Sequence, residues 1–135
     1  MVGYDEVLKS FLYDDREKRD IINDLADPLD IMVCLNLGLD CLSSISLNDE
    51  FIIVDINSRG LDSKLLNFIM AYQVATIILK RGMVNEMKLY ELDYDSDEFK
   101  LALKIYNRIY KDDKQIVQDV KTLKLKKNEM EVKNA

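Results

Sequence analysis

The chain has 135 residues, 48% of them apolar and 33% charged, enough to build a core and too apolar for global disorder. Its formal charge is −6, with 12 Lys and Arg against 20 Asp and Glu in residues 1–110 and 7 against 5 in residues 111–135. An acidic body repels phosphates and argues against a nucleic-acid partner, and the absence of histidine excludes His-ligated zinc, His general bases and Ser-His or Cys-His dyads.

The N-terminus, 1-MVGYDEVLKS, has no basic segment followed by an apolar run, so no signal peptide is expected. Residues 5–25 place Val7, Leu8, Phe11 and Leu12, then Ile21, Ile22 and Leu25, at helical spacing. The charged run 14-DDREKRD between them is a solvated face or a break. Asp27-Pro28 has the form of a helix start, with Asp as N-cap and Pro at the first helical position. A helix is therefore expected over 29-LDIMVCLNLG, stopping at Gly38.

The period then changes. The run 41-CLSSISL-47 alternates, 51-FIIVDIN-57 is rich in β-branched residues, and Asn48-Asp49-Glu50 makes a turn between them. A β-hairpin over about 41–57 is expected. Residues 61–81 form a long helix with Leu65, Phe68, Ile69, Tyr72, Thr76 and Leu79 on one stripe. Leu66, Met70, Ile77 and Ile78 widen that stripe until little of the circumference is polar, which places the helix in the middle of a domain. Its uncharged run, 65-LLNFIMAYQVATIIL-79, falls short of the ~20 apolar residues that span a bilayer. Lys80 and Arg81 suit its C-terminal end, and Gly82 can terminate it.

The segment 86-EMKLYELDY holds a short strand or a turn. Asp95 or Ser96 can cap a helix over about 97–110 that turns Phe99, Ala102, Leu103, Tyr106 and Ile109 inward. A last amphipathic helix carries Ile116, Val117, Val120, Leu123 and Leu125, before the polar tail 126-KKNEMEVKNA. The acidic group Glu91, Asp93, Asp95, Asp97 and Glu98 lacks a calcium-loop pattern and fits a helix-start charge bias. Cys34 and Cys41 have no C-x-x-C spacing, and two thiols without a secretion signal suit a reducing cytoplasm, with Cys34 in the core. The expectation is one domain over 1–125 and a frayed tail over 126–135.

Four stretches in this order resemble the ImmA/IrrE family of small zinc metallopeptidases. These are 35-LNLGL-39, 51-FIIVDINS-58, 68-FIMAYQVATIIL-79 and 93-DYDSDEFKLALKIY-106. The third is similar to F-T-x-A-H-E-L-G-H-x-L-L, the zinc-binding helix, and the fourth to E-x-E-A-N/D-x-F-A-x-x-L-L. In such a helix two His at i and i+4 share one face and hold zinc, and the Glu polarises the metal-bound water. The resemblance puts the two His positions on Tyr72 and Thr76, the base on Gln73 and the third ligand on Asp93. None of the three helix residues can do that work, so the resemblance implies a zincin-like scaffold without cofactor or catalysis.

The implied fold is α+β: a small antiparallel sheet packed on the helix at 61–81, with further helices on both sides. The implied function is that of an inactive peptidase-like protein acting by stoichiometric binding. It would be a phage or mobile-element regulator or inhibitor in bacteria whose partner is a repressor or another regulatory or defence factor, with no nucleic acid and no membrane. Tyr72, Gln73, Thr76 and Asp93 are then either buried groups satisfied inside the core or the lining of a remodelled binding cleft. Two alternatives stand beside this reading. One is an enzyme with altered, non-zinc chemistry in that cleft, and the other is a subunit of a larger assembly or a homodimer.

Overall fold

The computed structural model describes residues 3–111 and 113–123. The elements run α1 (Tyr4–Tyr13), a π turn (Ile22–Ala26), a 3-10 turn (Asp27–Leu29), β1 (Ile31–Leu35), β2 (Ser43–Leu47), β3 (Ile52–Ile56), α2 (Ser63–Leu79), β4 (Met87–Leu89), α3 (Asp97–Ile109) and a helix over 115–123, here α4. The architecture is α+β. The four strands form one sheet in the order β1-β3-β2-β4. Residues 126–135 and Leu125 lie outside the described residues. No helix among the described residues is long and apolar enough to cross a membrane.

The sheet is mixed, which corrects the antiparallel expectation. β2 pairs antiparallel with β3 and with β4, whereas β1 runs parallel to β3. The correction and its cause lie in residues 29–38, where a strand replaces the expected helix. Asp27-Pro28 starts only a 3-10 turn, and Asp30 then adopts a left-handed conformation (φ 57°) that ends it. The next five apolar residues suit a buried helix or a strand equally by pattern. The edge of β3 decides between them, with Ile31 opposite Ile52 and Leu35 opposite Ile56. The stretch 35-LNLGL-39 therefore ends a strand and turns, instead of closing a helix.

The β2–β3 hairpin forms where expected. The Asn48 side chain accepts from the backbone N–H of Glu50 (2.9 Å) and Phe51 (3.1 Å), closing the turn. The charged run after α1 is a break: the Asp14 carboxylate ends α1 by accepting from Ser10 and from Lys18, at 2.9 and 2.7 Å. The Lys18 bond leads the contacts that hold the Asp14 carboxyl below the usual carboxylate range.

Helix α2 starts at Asp62, whose side chain accepts from Leu65 N at 2.9 Å. Every residue from Phe68 to Ile78 is buried, as expected of a helix apolar on all sides, while Leu79 lies exposed beyond them. The helix ends in paired bonds from Gly82 N to Ile77 O and from Arg81 N to Ile78 O, both 3.0 Å. The left-handed residue that closes it is Arg81 (φ 53°), followed by Gly82 (φ 78°), against whose α-carbon the Tyr4 hydroxyl is seated.

One face of α2 lies on the sheet and the other on α3. Phe68 meets Phe99 at 5.2 Å and Tyr106 at 5.7 Å between ring centroids. Ser96, rather than Asp95, caps α3 through Phe99 N (3.1 Å). Phe99, Ala102 and Tyr106 are buried as expected, with Ile105 between them, while Leu103 and Ile109 are half-buried. One hydrophobic core runs from Val7 in α1 to Val120 in α4. Of the two thiols it is Cys41, not Cys34, that is fully buried; Cys34 alternates onto the outer face of β1 and is half-buried.

Tyr106 carries the connection from α3 to α4. Its hydroxyl is fully buried with the ring and donates to Asp113 Oδ2 at 2.6 Å. Burial first, then this bond, pushes the phenol above its usual range, while the same bond holds the Asp113 carboxyl below its own. Tyr106→Phe should cost about 1–3 kcal/mol near neutral pH, since it removes one charge-assisted bond and no ring packing. The sign of its pH dependence follows from Asp113. A depressed carboxyl stabilises the fold above the unfolded value of about pH 4 and ceases to do so as pH falls through the folded value. The gap between Tyr106→Phe and the parent, read from urea titrations, should narrow on acidification; a constant gap would refute this coupling.

Candidate functional site

The four positions singled out by the sequence sit where α2 meets the sheet and the loop between β4 and α3. Residues 72 and 73 are successive on a helix, about 100° apart, so their side chains leave it in different directions. Gln73 goes to the sheet. It is completely buried, and its Nε2 donates to Ser43 Oγ at 2.9 Å. Ser43 in turn donates to the carbonyl of Asp55 at 2.7 Å, so one polar chain ties α2 to β2 and β3. Gln73 Oε1 is buried with no hydrogen-bond partner among the described residues. Gln73 is therefore an anchor facing a serine, and its amide oxygen is unsatisfied among the described residues.

Tyr72 goes to the loop. It is 6% exposed, and its hydroxyl accepts from the backbone N–H of Asp93 at 3.3 Å. Thr76, also buried, donates back to the carbonyl of Tyr72 at 3.0 Å, the local bond that hydroxyls make inside helices. The fold thus brings Tyr72 to Asp93 through the Asp93 backbone. The Asp93 side chain is exposed and closes its own turn, accepting from Asp95 N at 3.0 Å, while its carbonyl accepts from Ser96 Oγ at 2.7 Å.

Helix α4 lies against this loop. Tyr94 packs edge-on to Phe99 at 5.4 Å and donates to Val120 O at 3.4 Å, and Lys121 stands 5.9 Å over the Tyr94 ring. Val120 and Leu123 line a narrow crevice with Leu42, Tyr90, Leu92 and Tyr94. Beside it, an open hollow is lined by Glu91, Leu92, Asp93, Tyr94 and Asp95, without Tyr72, Gln73 or Thr76. Asp97 and Glu98 belong to the first turn of α3, where they favour the helix dipole. Among the described residues no three His, Cys, Asp or Glu side chains converge as a ligand set.

Two residues of this region escaped the sequence reading. Ser43 had a detectable signal, since it shares the inward phase of β2 with Ile45 and is the one small polar group there. Tyr94 had none, because its partners on α4 are distant in sequence. Comparisons with protein-family models, with curated proteins and with solved structures find no match. The likeness to ImmA/IrrE peptidases therefore rests on the four stretches and their order.

Proposed function

We propose that this chain is a catalytically inactive, ImmA/IrrE-like protein that acts by stoichiometric binding of a protein partner in the cytoplasm, as a regulator or inhibitor carried by a phage or mobile element. One observation carries this reading: the side chains at the peptidase positions are consumed by the protein's own structure. Gln73 anchors α2 to Ser43, Thr76 bonds its own helix, and Tyr72 supports the Asp93 loop. Three of the four family-like stretches also occupy suitable elements, namely β3, α2 and the loop into α3. The remaining one, 35-LNLGL-39, departs from the family pattern by ending a strand.

An enzyme with altered chemistry would need Tyr72 and the Asp93 carboxylate to face one accessible space, and only Asp93 lines the hollow at the loop. The test is purification from the native host, followed by measurement of stoichiometry, zinc content and partner integrity. A fixed-ratio complex with an uncut partner and without bound zinc is expected. One equivalent of zinc together with turnover of a repressor would overturn the proposal.

A further inference from the structure

The sheet has two unlike edges. The β4 edge is only three residues long and carries Lys88, one of the usual defences of an edge strand. The β1 edge has no such defence. Its five residues, Ile31–Leu35, contain no charge and no proline. Met32, Leu35 and Leu37 are 41%, 57% and 57% exposed, an unusual concentration of apolar surface along one strand and its following turn.

The backbone of that edge has unused groups. Asp30 O accepts from Ile52 N, and Asn36 N donates to Ile56 O, so the even-numbered residues of β1 direct their N–H and C=O toward β3. By alternation, those of Val33 and Leu35 point away from the sheet. Among the described residues, nothing bonds them there.

The surrounding charge selects the occupant. Residues 20–58, which include β1, β2 and β3, contain eight Asp and Glu and no Lys or Arg. Asp27 and Asp30 stand at the start of β1 and Asp55 on the outer face beside Cys34, and none of the three makes an ion pair among the described residues. A second copy would bring the same negative stretch against itself. We infer that β1 accepts an extended segment of a partner protein in which Lys or Arg alternates with apolar residues, added as a fifth strand on the backbone of Val33 and Leu35. Main-chain bonds supply the affinity and the alternating side chains the selectivity. This inference shares with the proposed function only the premise of protein binding. Its failure would remove the β1 edge as the surface and leave that premise to the purification experiment.

The probe is a short peptide alternating Lys and Val, with a Glu-Val peptide as control. Binding is followed by fluorescence anisotropy and by hydrogen exchange of the full chain. The Lys-Val peptide should bind and protect the Val33 and Leu35 amides, and the Glu-Val peptide should not. Val33→Pro removes an N–H that the fold does not use, so it should weaken binding about tenfold or more while circular dichroism stays native. Leu35→Lys, at a position already exposed, provides a second blocked edge and should weaken binding similarly. Asp27→Asn with Asp30→Asn should weaken binding mainly at low salt. Protection located elsewhere, or unchanged affinity in natively folded Val33→Pro and Leu35→Lys, would overturn the inference. So would a parent chain that forms a dimer abolished by Val33→Pro, because the edge would then belong to a second copy.

Discussion

Changing Tyr72→His, Gln73→Glu and Thr76→His together should unfold much of the protein instead of creating a peptidase. Tyr72 is a buried aromatic, and removing such a ring costs roughly 3–5 kcal/mol before any new polar group is buried. Natural domains have only about 5–15 kcal/mol in total. The Gln73→Glu component is the sharper test because its sign depends on pH. That position is fully buried, and Ser43, its neighbour, already gives its single proton to the Asp55 carbonyl. Two acceptors would then face each other, and burial would raise the carboxyl above its unfolded value of about 4.3.

A carboxyl raised on folding keeps its proton in the native state while the unfolded chain loses it. The variant should therefore be closest to the parent below about pH 4 and lose stability as pH rises toward neutrality. Gln73→Met should instead lie within about 1 kcal/mol of the parent, because Ser43 keeps its bond to Asp55 and the unsatisfied Oε1 disappears. Thermal melts of the three variants across pH would check this. A triple variant that is as stable as the parent and binds one zinc would show that the helix face is open, and it would defeat the argument from burial.

Arg108→Ala should cost about 2–4 kcal/mol, among the largest losses available from a residue that belongs to no hydrophobic core. Its guanidinium donates to the carbonyls of Phe11, Asp14 and Arg16, at 2.9, 2.8 and 2.9 Å. These groups cap the end of α1 and hold the following charged loop, so one side chain on α3 fixes the N-terminal helix to the central pair. Arg108→Lys should recover only part of the loss, since an ammonium cannot meet three carbonyls spread around a planar fork. Urea midpoints report the size of the effect, and hydrogen exchange in α1 reports its place. An Arg108→Ala variant with parent-like α1 protection would show that hydrophobic contacts alone hold the helix.

How much of this was legible in the sequence depended on where each determinant lay. Helix α2 was legible because the signals for it are local: a long uncharged, largely apolar run and a basic end followed by glycine. The hairpin was legible for the same reason, with alternation on one side of an Asn turn and β-branched residues on the other. Residues 29–38 were misread because Asp-Pro and a terminal glycine are local helix signals, whereas the strand partner, β3, begins about twenty residues later. Of the candidate site, the positions of Tyr72, Gln73 and Thr76 on one helix were legible, but their partners were not. Gln73 meets Ser43 thirty residues away, and Tyr72 meets Asp93 twenty-one residues away.

By itself, then, the sequence determined what cannot happen and what must be buried. A chain without histidine cannot assemble a His-ligated zinc site, and a helix apolar on every side must be surrounded by protein. Tertiary structure decided the rest. Pairing with β3 made Ile31–Leu35 a strand and left its far edge open. The close approach of the sheet, the Asp93 loop and α2 turned three polar residues inward as structural contacts. The physical reason is that burial and hydrogen-bond satisfaction are settled between segments distant in sequence, after local propensity has offered more than one answer.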